Sequence, residues 1–357
     1  MMPWYRRLFG AADEQRLQAI ACSPDYYPHE LLLSQRTPGV SFVQAGRDIY
    51  RQSSFLDHRM LRNPGAKKTE CSIEELLGHY RHRASGRVAF IFHIAYCCST
   101  LLARYLELLP GTFVLKEPFL LTQLAEMNRS GQVREDLTRL CAQLLARTYD
   151  PAEIAIVKLA DQCNAVASAL MASSGFQRSV FIGLELRSFL LSGLKTDQRR
   201  AWVRRRAELG AIDIAPSPLA QIDPKGLGDG EACAFLWLTN GVLLQKLLKN
   251  VGSEGVLIID GEEISDKPEE TVRAVAAWFR LTSSDSELRA VLGEEASGRY
   301  SKNPAQTFTR ENRRAELAAI YSKLGNEVET AMTWASARAA DLGLDPYSGR
   351  MLADHRP

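Results

Sequence analysis

The chain has 357 residues, of which 46% are hydrophobic and 24% charged. This is the profile of a globular protein with one large α/β domain, alone or with appended segments. The formal net charge is only +2. No global field therefore draws the chain to nucleic acid or to anionic lipid, and a site for an anionic ligand must be local. No run approaches ~20 apolar residues and the N-terminus lacks an apolar signal core, so we expect no membrane span and a cytoplasmic location.

Seven cysteines are spread along the chain, and neither a CxxC pair nor a Cys/His zinc spacing occurs. An odd number without metal-ligand spacing favours reduced thiols and gives no reason to expect a metal.

Residues 1–85 mix charges with aromatic residues and are predicted to form an N-terminal arm or subdomain. The stretch VSFVQA is typical of a short strand, the apolar spacing over Ile49–Leu61 suits a helix, and NPGAKK at 63–68 indicates a loop.

From residue 86 onward, apolar β-branched runs alternate with helical spacing. This alternation predicts an α/β core over 86–300, a central parallel sheet with helices on both faces, followed by a helical segment over 301–357 that packs on it. The predicted strands are 87–94, 112–116, 154–158, 179–184 and 255–260, and the predicted helices are 99–109, 118–148, 163–174, 187–195, 235–250 and 268–281. The Pro- and Gly-rich stretch 215–231, with GLGDG at 226–230, indicates a flexible loop or a lid.

The junction HIAYCCSTLLARYL at 93–106 carries the strongest chemical signal. A buried strand enters a short loop that opens onto a helix with Ser99 and Thr100 in its first turn. Free backbone N–H groups and the helix dipole favour an anion there, although a plain Ser-capped turn has the same pattern. No G-x-x-x-x-G-K-[ST] motif is present, which disfavours a standard P-loop ATPase or kinase.

The junction resembles the 5′-phosphosulfate loop of the sulfotransferase superfamily, especially its tyrosylprotein-type and bacterial branches. That loop reads [KR]-S-G-T-T-[LW], and the matching residues here are Tyr96, Cys97, Cys98, Ser99, Thr100 and Leu101. The family's basic residue is replaced by Tyr96 and its glycine by Cys98. Cys98 must then adopt a loop geometry that usually falls to a residue without a Cβ atom.

Further motifs match in order over about residues 88–281, with a weaker match at 299–304. The resemblance places a catalytic glutamate at Glu117, a lysine after the next strand at Lys158, and a 3′-phosphate motif at Arg187 and Ser192. Leu184 stands where that motif has its first arginine, and Glu262 matches the glutamate that precedes a later helix. The implied fold is the three-layer P-loop-NTPase-like sulfotransferase fold, with a central parallel sheet flanked by helices.

The resemblance implies an enzyme that transfers a sulfuryl group from 3′-phosphoadenosine 5′-phosphosulfate to a hydroxyl or amine, without a metal. Residues 96–101 would bind the 5′-phosphate, and Arg187 and Ser192 the 3′-phosphate. Lys158 would approach the leaving oxygen or the sulfonate, Glu117 would act as general base, and Lys302 would close over the donor. A small molecule, a glycan or a peptide fits as acceptor.

Each role has an alternative in the sequence. Glu117 precedes a proline and is also typical of a helix start. Lys158 follows a buried strand and is also typical of a surface lysine whose charged end extends to solvent. Arg187 also suits an ion-pair partner. His93, four residues before Cys97, offers a second base or a Cys–His pair. The basic run at 199–210 suits either a polyanionic acceptor or a solvated helix face. A non-Walker phosphotransferase and an inactive nucleotide-binding or scaffold protein are the competing functions.

Overall fold

The computed structural model describes residues 11–60, 67–83, 86–295, 299–300, 303–307 and 310–353. The N-terminal part is a three-stranded antiparallel sheet of order β1-β2-β3 with three helices. Its elements are α1 (Ala11–Cys22), β1 (Tyr26–Leu32), β2 (Gly39–Gln44), α2 (Arg47–Gln52), β3 (Lys68–Ser72) and α3 (Ile73–Tyr80). The predicted strand VSFVQA lies in β2. The predicted helix from Ile49 is shorter than expected, because the chain leaves it to donate the Leu56 N–H to the Lys116 carbonyl oxygen at 2.7 Å.

The following part is the predicted α/β core, and its five strands form one parallel sheet of order β5-β6-β4-β7-β8. The strands are β4 (Val88–His93), β5 (Thr112–Lys116), β6 (Ile154–Lys158), β7 (Ser179–Gly183) and β8 (Val256–Asp260). The flanking helices are α4 (Ser99–Glu107), α5 (Phe119–Arg129), α6 (Glu135–Leu145), α7 (Ala167–Ser173), α8 (Leu186–Gly193), α9 (Asp197–Asp213), α10 (Asp229–Val251), α11 (Gly261–Asp266) and α12 (Pro268–Trp278). Short 3₁₀ turns occupy Asp161–Val166, Pro218–Gln221, Pro224–Gly226 and Ser253–Gly255.

The first core strand, β4, fixes where a ligand can bind. All six of its residues are buried, as expected for a strand that is covered on both faces. From β4 the chain builds β5 and β6 on one side and β7 and β8 on the other. In such a sheet the crevice for ligands opens at the carboxyl ends of the strands where the direction of building reverses. Here that position is the end of β4.

Two side chains of the core, Arg147 and Gln123, hydrogen-bond the backbone of the N-terminal part. The buried guanidinium of Arg147 donates to the carbonyl oxygens of Ile20, Ser23 and Tyr26 at 2.7, 3.1 and 2.7 Å. The Gln123 amide bonds both the N–H and the C=O of Leu31, at 2.7 and 3.0 Å. These contacts pair backbone groups at the end of α1 and along the edge strand β1 that would otherwise lack partners.

The C-terminal part consists of α13 (Asp285–Glu295), the strand pair β9 (Arg299–Tyr300) and β10 (Asn303–Thr307), and the 32-residue helix α14 (Arg310–Asp341). Helix α14 packs against α8 and α10. The predicted loop GLGDG does not cover the site, because Gly228 caps α10 and Asp229 binds Arg200 and Arg204. None of the helices in the described ranges is long and apolar enough to cross a membrane.

His29 is a fully buried histidine in the N-terminal sheet whose ring nitrogens have no hydrogen-bond partner. Burial, with His58 and Lys68 nearby, lowers its pKa from 6.5 to about 4. Between these values the unfolded chain binds a proton that the native chain does not, so stability falls as the pH drops from 6.5 towards 4.

We therefore expect His29→Leu to remove part of this acid sensitivity. The free energy of unfolding of the variant, taken relative to that of the wild type, should rise by about 3 kcal/mol as the pH falls from neutral to about 4. Urea unfolding at several pH values measures this difference. His82→Leu, which changes an exposed histidine, is the control for a histidine-to-leucine change as such. Parallel profiles for His29→Leu and wild type would contradict the expectation.

Candidate active site

The loop between β4 and α4 reverses the chain within five residues through two left-handed positions. Tyr96 has φ 66° and Cys98 has φ 60°. Cys98, the residue before α4, has ψ 16°, and its carbonyl oxygen accepts the N–H groups of Leu101 and Leu102 at 2.9 and 3.1 Å. The geometry expected of a residue without Cβ is thus adopted by a cysteine. Such strain in non-glycine residues concentrates at functional sites.

The loop is braced by the close approach of helix α11. A Cβ atom on Gly261, the first residue of α11, would lie 2.6 Å from the Cys97 carbonyl oxygen, so only glycine fits there without a shift of backbone. On the other side, the Cys97 thiol donates to the Ile94 carbonyl oxygen at 2.8 Å. Burial raises the pKa of Cys97 to about 12, which argues against Cys97 as a nucleophile.

The first turn of α4 offers polar groups to the space above it. Ser99 and Thr100 are both buried, and the Thr100 hydroxyl has no hydrogen-bond partner. A buried hydroxyl without a partner is costly. A ligand oxygen beside it would satisfy it, and the N-terminus of α4 favours an anionic one.

Glu117 and Lys158 form an ion pair beside this loop. The Lys158 ammonium donates to a Glu117 carboxylate oxygen, and the Glu117 N–H donates to the Lys158 carbonyl oxygen at 2.6 Å. Glu117 has φ 55°, a third left-handed residue. The Lys158 side chain is 2% exposed, whereas that of Glu117 is 19% exposed. The carboxylate is therefore the member of the pair that an incoming acceptor can reach.

His93, at the end of β4, is held by backbone groups. Its Nδ1 lies 2.8 Å from the Ile94 carbonyl oxygen and its Nε2 lies 2.7 Å from that of Leu159. Burial, followed by the nearby Lys158 charge, lowers the pKa of His93 to about 4. Both ring nitrogens lie against backbone carbonyl oxygens, of which a neutral imidazole can donate to only one. A ring held in this way is better suited to a structural role at the ends of β4 and β6 than to proton transfer.

A cavity of about 870 Å³ brings most of the predicted site residues together. Ten of them line it, namely His93, Tyr96, Cys97, Cys98, Ser99, Thr100, Leu101, Glu117, Lys158 and Ser192. Its volume lies in the range of small-molecule and cofactor sites. Lys302 lies outside the described residues.

Arg187 does not line this cavity. Its guanidinium makes an ion pair with Glu329 of α14 and lies 5.5 Å from the centre of the Tyr321 ring. Arg187 is therefore an ion-pair partner, which is the alternative that the sequence offered. It lies at the start of α8, and α14 packs against this helix. Ser192, one turn and a half further along α8, does reach the cavity.

Several lining residues were missed by the motifs. They are Phe55, Arg59, Asp161, Lys195, Gln198, Arg199, Trp202, Asn312, Arg313, Glu316 and Leu317. The basic run at 199–210 was the one sequence feature that pointed to any of these residues. Arg199 donates to the Ser192 carbonyl oxygen at 2.7 Å and lies over the Tyr96 ring, while Arg206 is buried and binds Asp161 at 3.0 Å. This helix face is therefore turned partly into the site rather than wholly to solvent.

Comparison with known proteins gives structural neighbours only. No protein-family model and no curated protein matches the sequence. Solved structures do match. In structure, the chain is similar to sulfotransferases.

Three of these neighbours illustrate the degree of similarity. A sulfotransferase from Alicyclobacillus acidocaldarius is 13% identical, with 70% of this chain and 99% of that chain covered and a TM-score of 0.37. The sulfotransferase domain from the curacin biosynthetic pathway is 12% identical, with 68% and 98% covered and a TM-score of 0.41. The sulfotransferase domain from the Synechococcus PCC 7002 olefin synthase is 14% identical, with 67% and 95% covered and a TM-score of 0.35. At these values, what the site does must be inferred from its own residues.

The left-handed conformation of Cys98 generates a prediction for stability. A β-branched side chain is poorly tolerated at this φ, whereas glycine adopts it without strain. We expect Cys98→Val to be less stable than Cys98→Gly by about 1–2 kcal/mol. Urea unfolding with equal m-values for the two variants gives this difference. Equal stability would contradict the left-handed geometry.

Proposed function

We propose that the protein is a sulfotransferase that transfers a sulfuryl group from 3′-phosphoadenosine 5′-phosphosulfate to a hydroxyl or amine of an acceptor. One observation carries the proposal. The N-terminus of α4, with its unpartnered Thr100 hydroxyl, and the Glu117–Lys158 pair line the same cavity. An anion site and a base next to a buried cation are the two requirements of this transfer.

The residues present fit a donor with phosphates at both ends. At one end, Ser99, Thr100 and the N–H groups that begin α4 suit the 5′-phosphate. At the other, Ser192 and Arg199 suit the 3′-phosphate, with Arg199 taking the role that Arg187 cannot reach. Five basic and three acidic side chains line the cavity, so its charge favours a polyanion.

The donor, when bound, supplies the sulfuryl group and a phosphate leaving group. Glu117 would accept the proton of the acceptor hydroxyl or amine as that atom attacks, because its carboxylate is the partly exposed member of the pair. The Lys158 ammonium would stabilise the charge that develops on the leaving oxygen. Its burial keeps water away and strengthens this interaction.

The acceptor side of the cavity is formed by the N-terminal subdomain. Phe55 and Arg59 line it there, and the guanidinium of Arg59 lies 3.6 Å from the centre of the Phe55 ring. Leu56 hydrogen-bonds the backbone of Lys116 and Phe119, which places this segment beside Glu117. We propose that residues 55–59 contact the acceptor next to the base, whether that acceptor is a small molecule, a glycan or a peptide.

Donor recognition is tested by calorimetric titration with 3′-phosphoadenosine 5′-phosphate. We expect the wild type to bind it and Ser192→Ala to bind it roughly 10- to 100-fold more weakly, as for the loss of one hydrogen bond to a charged group. Ser188, on the same helix but outside the cavity, provides the control, and Ser188→Ala should bind like the wild type.

The outcomes separate the candidate functions. No binding by the wild type would rule out the sulfotransferase proposal. Binding of ATP–Mg²⁺ in its place would indicate a phosphotransferase, and binding without turnover over a broad acceptor panel would indicate a binding or scaffold protein. Unchanged affinity in Ser192→Ala would refute only the placement of the 3′-phosphate.

Glu117→Gln tests the base. The variant should bind 3′-phosphoadenosine 5′-phosphate with unchanged affinity and lose roughly 10²- to 10⁴-fold in turnover, the usual contribution of a general base. Release of 3′-phosphoadenosine 5′-phosphate in the presence of acceptor gives the rate. Glu126→Gln, an exposed change on α5, is the control. Full turnover by Glu117→Gln would move the role of base to another group, with His93 the next to examine.

A further inference from the structure

The 5′-phosphate loop of this chain lacks a basic residue of its own. Tyr96 occupies the position where the related motif has lysine or arginine. In the structure, a cation reaches the loop from elsewhere. Arg313, near the start of α14 and 215 residues along the chain from Cys98, contacts the Cys98 sulfur through one guanidinium nitrogen at 3.2 Å.

The position of Arg313 is fixed by a second contact. Its other terminal nitrogen donates to a Glu262 carboxylate oxygen at 2.7 Å. Glu262 follows Gly261, whose close approach to Cys97 braces the same loop. The Arg313 side chain is only 13% exposed. The guanidinium is therefore preorganised next to the loop rather than free in solvent.

Two donors of Arg313 have no adequate acceptor. Its Nε is buried and has no hydrogen-bond partner, and the sulfur of a thiol is a weak acceptor for a terminal guanidinium N–H. The buried Thr100 hydroxyl, which lines the same cavity, is also without a partner. An anionic oxygen beside the guanidinium would accept strong, charge-assisted hydrogen bonds from it.

We propose that Arg313 is the cation of the 5′-phosphate cradle and replaces the basic residue that the loop has lost to Tyr96. The inference rests on the proposed function and deepens it, because it assigns one phosphate of the donor to one residue of α14. Arg199 is the cation assigned, with Ser192, to the 3′-phosphate, and it also lies next to the loop. Its guanidinium bonds the Ser192 carbonyl oxygen and lies 4.6 Å from the centre of the Tyr96 ring.

Two single-phosphate ligands distinguish the ends. Adenosine 5′-monophosphate carries only the phosphate assigned to Arg313, and adenosine 3′-monophosphate only the one assigned to Ser192 and Arg199. We expect Arg313→Met to weaken binding of the 5′-monophosphate roughly 10- to 100-fold in calorimetry, as for a lost charge-assisted hydrogen bond. Binding of the 3′-monophosphate should change by less than about twofold, within the scatter expected of independent sites. A general loss of structure would weaken both ligands.

The neighbouring residue supplies a matched control. Arg314 is 65% exposed, pairs with Asp266 and does not line the cavity. Arg314→Met removes the same charge from the same helix turn, so it should bind both monophosphates like the wild type. Arg313→Lys keeps the charge without the planar fork, and we expect an affinity for the 5′-monophosphate between those of wild type and Arg313→Met. It also serves as the test variant if Arg313→Met does not fold.

The failures of the two proposals are distinct. If the wild type binds neither 3′-phosphoadenosine 5′-phosphate nor either monophosphate, the proposed function fails and the role of Arg313 with it. If the wild type binds them but Arg313→Met spares the 5′-monophosphate, or weakens both monophosphates equally, only the assignment of Arg313 is overturned.

Discussion

The site depends on one backbone constraint, the reversal of the chain between β4 and α4. Left-handed conformations at Tyr96 and Cys98 make that reversal possible. Because Gly261 has no side chain, α11 can pack directly against the loop. Because the turn is so short, α4 begins directly above the end of the central strand, and its N-terminus opens into the crevice that the strand order creates. Ser99 and Thr100 reach the cavity for that reason, and the proposed anion site follows from how the strand ends.

The ion pair beside this turn has one buried member and one partly exposed member. The Lys158 side chain is buried, whereas that of its partner Glu117 is partly exposed. The carboxylate therefore faces the cavity, and the ammonium provides a fixed positive charge behind it. A buried cation that lost its carboxylate would be strongly destabilising. The ion pair therefore contributes to the stability of the fold as well as to the proposed chemistry. His93 lies between two backbone carbonyl oxygens, and burial together with the Lys158 charge lowers its pKa.

Sequence patterns predicted what is local and missed what the fold brings together. The five core strands and the loop after β4 are contiguous segments with strong apolar runs, and each lies where it was predicted, with a difference of a residue or so at the ends. The stretch predicted as one helix over 118–148 is divided at Gly131, which has φ 67°. Arg187 fits its motif by spacing, yet its side chain is drawn to Glu329 by the packing of α14. Arg313 gave no sequence signal, because its contact with Cys98 joins residues 215 positions apart.

The position of Arg313 also ties assembly of the site to the docking of a distant helix. A loop with its own basic residue carries its charge wherever it folds, whereas this loop receives it only when α14 lies against α8 and α10. Glu262 then acts twice. It compensates the guanidinium in the unliganded protein, and it aims that group at the loop. A glutamate at this position therefore lowers the cost of burying an arginine. It also leaves two guanidinium nitrogens without a strong acceptor, and the proposed phosphate would supply one. With Arg313 as the proposed cation, Tyr96 in place of a lysine or arginine is consistent with an anion site, because the helix that covers the loop would supply the charge.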